Sequence, residues 1–234
     1  MAAISWQHKI NNAYDPSKSF CIKRMLKGVI PFQKEPKVMS IIDRDMLSKL
    51  LSLLEVHIFD NYEKILMRSI LLTMYICCLR AGEAVVSTHD KHTIRIENVK
   101  IKTVGTKVVT ITLKSYKHSN ENKTFSFEEA NKALDCPVEA LLNYLAVRPV
   151  REGILFIDWS GKPVTRKFLV DTIRKLIVHT GNDPSDFGSH SIRAGRTTDL
   201  ARAGVPEAII KETGRWTSNA YQKYIRFAAF SLPR

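Results

Sequence analysis

The spacing of apolar residues changes twice along this chain, and that change limits its fold more than any other feature of the sequence. Between residues 43 and 79, apolar side chains recur at the helical period in two stretches. Between residues 92 and 127 they alternate or form β-branched runs, as strands do. The helical period returns at Pro137. We therefore predict a mainly α domain that carries one small three-stranded antiparallel sheet, an α+β fold.

The predicted strands are separated by residues that favour turns. The strands cover three segments: His92–Ile101, Val108–Leu113 and Lys123–Phe127. Gly105 lies between the first two segments, and the polar residues 120–122 lie between the last two. Short strands with such connections are typical of an antiparallel sheet.

The predicted helices begin at residue types that favour helix starts, and they end near glycines. Asp43 precedes the first helix, and the second helix ends near residues 79–82. The later helices begin at Pro137, after Thr165 and from Ser189, with a stop at Gly181 and breaks at Gly204 and Gly214.

The N-terminal residues differ from the rest of the chain. Prolines and lysines lie close together from Pro31 to Lys37, a composition typical of a linker. The residues up to Gly28 have the character of the last part of a helical unit. We therefore divide the chain into residues 1–36 and a main domain of residues 37–234.

The charge of the chain indicates a polyanionic partner. Thirty-six Lys and Arg residues oppose 23 Asp and Glu residues, which gives a net charge of +13. Such a surplus favours nucleic acid or an anionic membrane surface. No apolar run reaches the roughly 18 residues of a membrane span, so we expect no membrane partner. The four cysteines show no metal-binding spacing, so we predict reduced thiols and a reducing compartment.

Two local clusters carry groups that suit a phosphate. Arg80 follows a long apolar helix, and Glu83 could hold its guanidinium group by a bidentate pair, although an arginine there also complements a helix dipole. His190 and Arg193 lie three residues apart at a helix start, so they share a face next to backbone donors. Arg196 continues that face, which a basic solvent-exposed helix would explain equally well.

A third cluster spans residues 214–226 and contains Arg215, Trp216, Tyr221 and Tyr224. An indole N–H can donate to a phosphate oxygen. Aromatic residues of this kind are more often packing residues. The cluster is informative only together with the other two.

With the three clusters in this order along the chain, the sequence resembles the tyrosine recombinases, also called phage-type integrases. Their signature is an early Arg, a Lys on a β-hairpin, a His-x-x-Arg box, a His or Trp, and a Tyr nucleophile. The likeness is greatest to the recombinases of Crypton and DIRS-type mobile elements, in which Gly-Arg-Trp precedes a Tyr-Ile-Arg ending. It covers roughly residues 40 to 230 and supports the predicted fold as a tyrosine-recombinase catalytic domain.

The resemblance assigns roles to particular residues. The implied catalytic residues are Arg80, Lys117, His190, Arg193, Trp216 and Tyr224. Glu83 would support Arg80, and the implied DNA contacts are Arg196, Arg215 and Lys114. Lys114 is also an alternative to Lys117, which lies nearer the turn. Tyr221 is an alternative to Tyr224, which fits the family ending.

The resemblance also implies the chemistry and the partners. Tyr224 would attack a DNA phosphate without a metal or any other cofactor and form a 3′-phosphotyrosyl link. The partner would be double-stranded DNA, bound by a homo-tetramer on two duplexes, with no small-molecule substrate. The compartment would be the nucleus in a eukaryote and the cytoplasm otherwise. The family carries a helical core-binding domain before the catalytic domain, and residues 1–36 would be a remnant of it.

Three other functions fit parts of the sequence. A type IB topoisomerase uses similar residues to relax one duplex. A catalytically silent DNA-binding remnant of a mobile element would keep the motif without the reaction. A basic structural or RNA-binding protein would carry the motif by chance, which requires several independent spacings to coincide.

Overall fold

The computed structural model describes residues 2–25, 39–87, 91–116, 119, 121–130 and 135–222. The chain divides into two compact units, Met1–Val38 and Met39–Arg234. The predicted linker at residues 31–37 lies outside the described residues. In the first unit, helix α1 covers Ala2–Ile10 and a 3-10 helix covers Pro16–Lys18. Asp15 caps the 3-10 helix, and hydrogen bonds from Ser17 and Ser5 lower the pKa of its carboxyl group to about 2.

The second unit is built around one long apolar helix. Helix α2 covers Arg44–His57 and begins where the Asp43 side chain accepts from the backbone N–H of Met46, as the sequence predicts. Helix α3 covers Asn61–Ile76, and nearly every residue in its second half is buried. The next element is the four-residue helix α4, Ala81–Ala84. The chain then enters the sheet.

The sheet has three antiparallel strands in the order β1–β2–β3, which confirms the prediction. The strands are β1, Val99–Lys102; β2, Val108–Leu113; and β3, Lys123–Glu128. In β2, Val109, Ile111 and Leu113 are buried, while the alternate threonines bond across the strands. The first strand begins at Val99 and not at His92, because residues 96–98 form a 3-10 turn. Ile94 is buried, and its backbone bonds to Glu83 and Leu155 instead of a strand.

Helices make up the rest of the unit, in agreement with the sequence. They are α5, Pro137–Val147; α6, Arg166–Val178; α7, Ser191–Arg202; and α8, Glu207–Gly214. Helix α3 packs against α2, α5 and α7. Asp199 joins α7 to α3 and α2, since it accepts from the Tyr75 hydroxyl at 2.5 Å and from the backbone N–H of Arg44 at 2.8 Å. Within the described ranges, no helix has the length and apolar character that crossing a bilayer requires.

The start of α7 lies directly against the chain that precedes α2. The backbone N–H of Ile42 donates to the Ser191 carbonyl at 2.9 Å. A Cβ atom on Gly195 would lie 1.8 Å from the carbonyl oxygen of Ile42. Only a residue without a side chain fits at this crossing.

Gly195→Ala is therefore expected to lower the free energy of unfolding by about 3 kcal/mol, the upper end of the cost of overpacking, because the clash is with backbone. The higher helix propensity of alanine would offset only about 1 kcal/mol of the strain. Urea unfolding measures the effect. Gly82→Ala is the matched control, since its nearest contact would be an ordinary 3.9 Å. Equal stabilities of the two variants would contradict the close approach.

Candidate active site

The turn between α3 and α4 presents Arg80. Helix α3 ends at Ile76, and Cys78 takes a left-handed conformation with φ of 47°. Arg80 immediately precedes α4, so the long helix ends a few residues before the predicted range of 79–82. It lies four residues beyond α3 and therefore does not complement the dipole of the last turn of that helix.

Glu83 holds Arg80 at two points. The Arg80 backbone N–H donates to Glu83 Oε2 at 2.7 Å, and Arg80 Nη1 donates to Glu83 Oε1 at 2.9 Å. Glu83 is 2 % exposed, whereas the Arg80 side chain is 23 % exposed. A buried carboxylate thus fixes a guanidinium group that still reaches the surface. Glu83 thus supports Arg80, but the predicted bidentate pair is replaced by one bond to the guanidinium group and one to the backbone.

Arg193 lies in the first turn of α7 and is 2 % exposed. Its Nη1 donates to the Cys78 carbonyl at 2.8 Å, and its Nη2 donates to the Gly214 carbonyl. Burial, with the nearby cations Arg80 and Arg215, lowers the pKa of Arg193 to about 10. The group therefore stays charged at neutral pH. A guanidinium group has five N–H donors, so two such bonds leave others for an anion.

His190 immediately precedes α7 and is exposed. The Ala194 backbone N–H donates to the His190 carbonyl at 2.9 Å, which fixes the backbone of His190 in the first turn. The structure thus places His190 and Arg193 on one helix end, as the sequence predicts.

Trp216 packs flat against Arg193. The Arg193 Cζ atom lies 4.2 Å from the centroid of the indole ring, the geometry of a cation–π contact. Gly214 makes room for the ring, because a Cβ atom there would lie 1.6 Å from Trp216 Cζ3. The Gly-Arg-Trp sequence therefore includes a glycine for steric reasons.

Gly214→Ala is expected to move the indole ring off Arg193. If Trp216 and Arg193 act on the phosphate, the rate of covalent adduct formation with DNA should fall about 10²-fold, the usual effect of a misplacement near 1 Å. The emission of Trp216 should also shift in a background in which Trp6 and Trp159 are phenylalanine. An unchanged rate together with unchanged emission would contradict the contact as described.

Arg215 differs from its sequence-based prediction as a DNA contact. Its side chain is only 1 % exposed, and Nη2 donates to Glu83 Oε2 at 2.5 Å. Nη1 donates to the carbonyls of Cys77 and Thr213. A guanidinium group in this position faces the interior of the domain. We therefore no longer assign Arg215 as a DNA contact and describe it as a buried residue.

The remaining predicted residues lie apart from this cluster or outside the described chain. The Arg196 guanidinium carbon lies 5.2 Å from the centroid of the Tyr75 ring, and Arg196 lines a cavity of about 310 Å³ together with residues of α2, α3, β3 and α5. Lys114 is exposed just after β2. Lys117 and Tyr224 lie outside the described residues.

Tyr221 is fully buried, and its hydroxyl donates to Glu207 Oε2 at 2.5 Å. The hydrogen bond to that carboxylate, together with burial, raises the pKa of the Tyr221 phenol. Both effects oppose attack on phosphorus by this hydroxyl in the conformation described. The structure therefore favours a packing role for Tyr221.

The sequence did not indicate the backbone groups on which the arginines converge. The Cys78 carbonyl accepts from Arg193 at 2.8 Å and from Arg215 at 3.1 Å. A sequence does not show which backbone carbonyls will accept hydrogen bonds from side chains. Here the accepting carbonyl belongs to Cys78, whose backbone is left-handed. Among the described ion pairs, Arg80 and Arg215 both pair with Glu83, whereas Arg193 donates to backbone carbonyls. Positive charge therefore exceeds negative charge there.

The fold and the site define a class of protein. A helical domain with a three-stranded sheet, in which arginines from two distant segments meet on one buried carboxylate, is the catalytic domain of a tyrosine recombinase. The chain belongs to the phage integrase family, whose model matches residues 41–229. Comparison by sequence with curated proteins finds no match.

Solved structures have a similar fold at low identity. The XerH site-specific recombinase, bound to its palindromic difH substrate after cleavage, has a TM-score of 0.63 at 17 % identity over 82 % of this chain and 51 % of XerH. The XerA recombinase has a TM-score of 0.54 at 17 % identity over 88 % of this chain and 68 % of XerA. The Tn1549 transposon integrase, in complex with a circular intermediate DNA, has a TM-score of 0.52 at 13 % identity over 95 % and 70 %. The chain thus spans about half the length of XerH.

Proposed function

We propose that this protein is a site-specific DNA recombinase, which cuts DNA and rejoins it through a 3′-phosphotyrosyl link at Tyr224. The observation that carries the proposal is the surplus of positive charge among the described residues where Arg80, Arg193 and Arg215 lie around the carboxylate of Glu83. A phosphate diester would supply the missing negative charge and accept the remaining N–H donors. The Tn1549 integrase of similar fold was solved with DNA, which supports the same class of partner here.

The proposed reaction is a transesterification at phosphorus. The Tyr224 oxygen forms a bond to phosphorus, and the bond from phosphorus to the 5′-oxygen breaks. Arg80 and Arg193 stabilise the charge that develops on the non-bridging oxygens. Lys117 gives a proton to the departing 5′-oxygen, and His190 assists the loss of the tyrosine proton. Attack by another 5′-hydroxyl on the phosphotyrosyl link rejoins the strands and frees Tyr224.

The proposal extends to the assembly and the compartment. A homo-tetramer on two duplexes would allow strands to be exchanged between sites, with Lys114 and Arg196 among the DNA contacts. Sedimentation of the protein with duplex DNA tests this stoichiometry. The four cysteines are unpaired, as expected in the nucleus of a eukaryote or in a cytoplasm.

The experiment that tests the function traps the covalent intermediate. The protein is incubated, without metal or ATP, with nicked duplexes of random sequence whose cleaved end diffuses away. We expect a detergent-resistant adduct, with the DNA attached to the peptide that contains Tyr224. Sequencing the trapped DNA would give the preferred site. Absence of an adduct from a protein that binds DNA would overturn the proposal in favour of a silent DNA-binding remnant.

Two further measurements separate the alternatives. Relaxation of supercoiled DNA without exchange between two sites would indicate a type IB topoisomerase. Binding to duplex DNA should weaken with salt, with a log–log slope of about −0.9 for each phosphate contact. A flat response to salt would exclude the phosphate backbone as the partner.

A further inference from the structure

We infer that Arg215 is a positioning residue that fixes Glu83, and through Glu83 holds Arg80 in place. This inference rests on the proposed function, because Arg80 is there assigned to the phosphate. Arg215 follows directly after α8, and Glu83 lies in α4, 132 residues earlier in the chain. Their contact joins the two segments that carry the site.

The carboxylate of Glu83 is divided between two arginines. Oε1 accepts from Arg80 Nη1 at 2.9 Å, and Oε2 accepts from Arg215 Nη2 at 2.5 Å and from the Arg80 backbone N–H at 2.7 Å. Glu83 is therefore held from both sides. Without Arg215, the Glu83 carboxylate would keep its two bonds to Arg80, which lies in the same turn. It would lose the bond from Oε2 to the residue that follows α8.

The other contacts of Arg215 connect three parts of the domain. The carbonyls of Cys77 and Cys78 follow α3, and the carbonyl of Thr213 belongs to α8. The guanidinium carbon also lies 5.1 Å from the centroid of the Phe125 ring in β3. The guanidinium group of Arg215 thus contacts the turn that presents Arg80, the sheet, and the helix that precedes Trp216.

The backbone of Arg215 supports the same conclusion. Its φ of 56° is left-handed, a conformation that glycine or asparagine usually adopts at a helix end. An unfavourable conformation persists when the surrounding structure determines it, and here the side chain is buried in specific contacts. A lysine would keep the charge but has no planar fork, so it could not reach these acceptors together.

The test compares Arg215→Lys with wild type in the full chain, on the duplex recovered from the trapping experiment. At saturating DNA, the single-turnover rate of adduct formation should fall about 10²-fold, since Arg80 is misplaced. The dissociation constant should change little. If Arg215 were a DNA contact, affinity would weaken, the salt slope would decrease by about one contact, and the saturated rate would be normal. That result would overturn the inference.

Arg148→Lys is the matched control for a purely structural loss. Arg148 is also buried and donates to three backbone carbonyls, those of Glu152, Ile154 and Leu155. We expect both variants to melt at lower temperature, but only Arg215→Lys to lose the saturated rate. Equal rates for the two folded variants would contradict a positioning role. The double variant Arg215→Lys and Glu83→Gln should lose no more of the saturated rate than the more damaging single variant, because both changes remove the same contact.

A measurement without catalysis separates this inference from the proposed function. If wild type forms no adduct, the proposed reaction fails, while the position of Glu83 is still observable. A crystal structure of Arg215→Lys should show Glu83 turned away from the place that it shares with Arg80 and Arg215. A Glu83 and Arg80 geometry unchanged from wild type would overturn the inference by itself.

Discussion

Tyr224→Phe is expected to form no covalent adduct with DNA, whereas Tyr221→Phe is expected to keep forming one. The two residues lie three positions apart, and each replacement removes a single hydroxyl group. The Tyr221 hydroxyl is occupied by Glu207, and the ring lies 6.3 Å from Trp216 and 5.0 Å from Lys211. Its loss should lower the melting temperature modestly, because the Glu207 carboxylate loses a donor in a part-buried position.

The comparison requires single-turnover adduct formation and DNA affinity for both variants. Affinity should stay close to wild type in each, since neither hydroxyl is assigned to binding. Removal of the nucleophile eliminates the phosphotyrosyl product completely, so residual adduct in Tyr224→Phe would show that another residue attacks. An adduct that disappears in Tyr221→Phe and persists in Tyr224→Phe would reverse the assignment, and the buried hydroxyl would then have to leave Glu207 before the reaction.

The elements of the fold were predictable because burial imposes a local period. The buried leucines of α2 lie at 47, 50, 51 and 54, and alternate residues of β2 face the core. Asp43 could be assigned as a cap because its partner is only three residues away. The start of the first strand was wrong for a physical reason. Ile94 is buried by contacts with residues outside the sheet, so its apolar character indicated burial without indicating a strand.

The assignment of Arg215 failed because its partners are distant in sequence. Arginine is usually exposed, so a basic residue beside a predicted catalytic tryptophan suggests a surface contact. Glu83 and the carbonyls of Cys77 and Cys78 lie more than 130 residues away, and only the folded chain brings them together. The excess of buried positive charge was therefore visible only in the structure.

The turn that presents Arg80 also escaped sequence analysis. A glycine would have marked a left-handed position, but Cys78 occupies it here. Without that mark, the long apolar run suggested a helix that ends near residues 79–82, whereas it ends at Ile76. The family signature nevertheless named Arg80, Glu83 and Arg193 together, and the folded chain brings these three side chains close to one another.

Arg193→Lys is expected to reduce the rate of adduct formation by about 10²- to 10³-fold, which corresponds to roughly 3–4 kcal/mol of transition-state stabilisation. The replacement keeps a positive charge and removes the planar fork. Arginine donates to the Cys78 and Gly214 carbonyls while its face covers Trp216, and a single ammonium group cannot satisfy these contacts and also reach a phosphate. DNA affinity should fall far less than the rate, because most binding energy comes from phosphates along the duplex.

Arg202→Lys is the control on the same helix. Arg202 is part-exposed and pairs with Asp43 and Asp199, away from Arg193. We expect its rate to equal that of wild type, since exposed ion pairs contribute little and lysine preserves them. A normal rate for Arg193→Lys would mean that charge alone suffices at this position. The planar guanidinium group of Arg193 would then matter for folding and not for catalysis. The phosphate would be bound chiefly by Arg80, whose side chain is 23 % exposed, whereas Arg193 and Arg215 are buried.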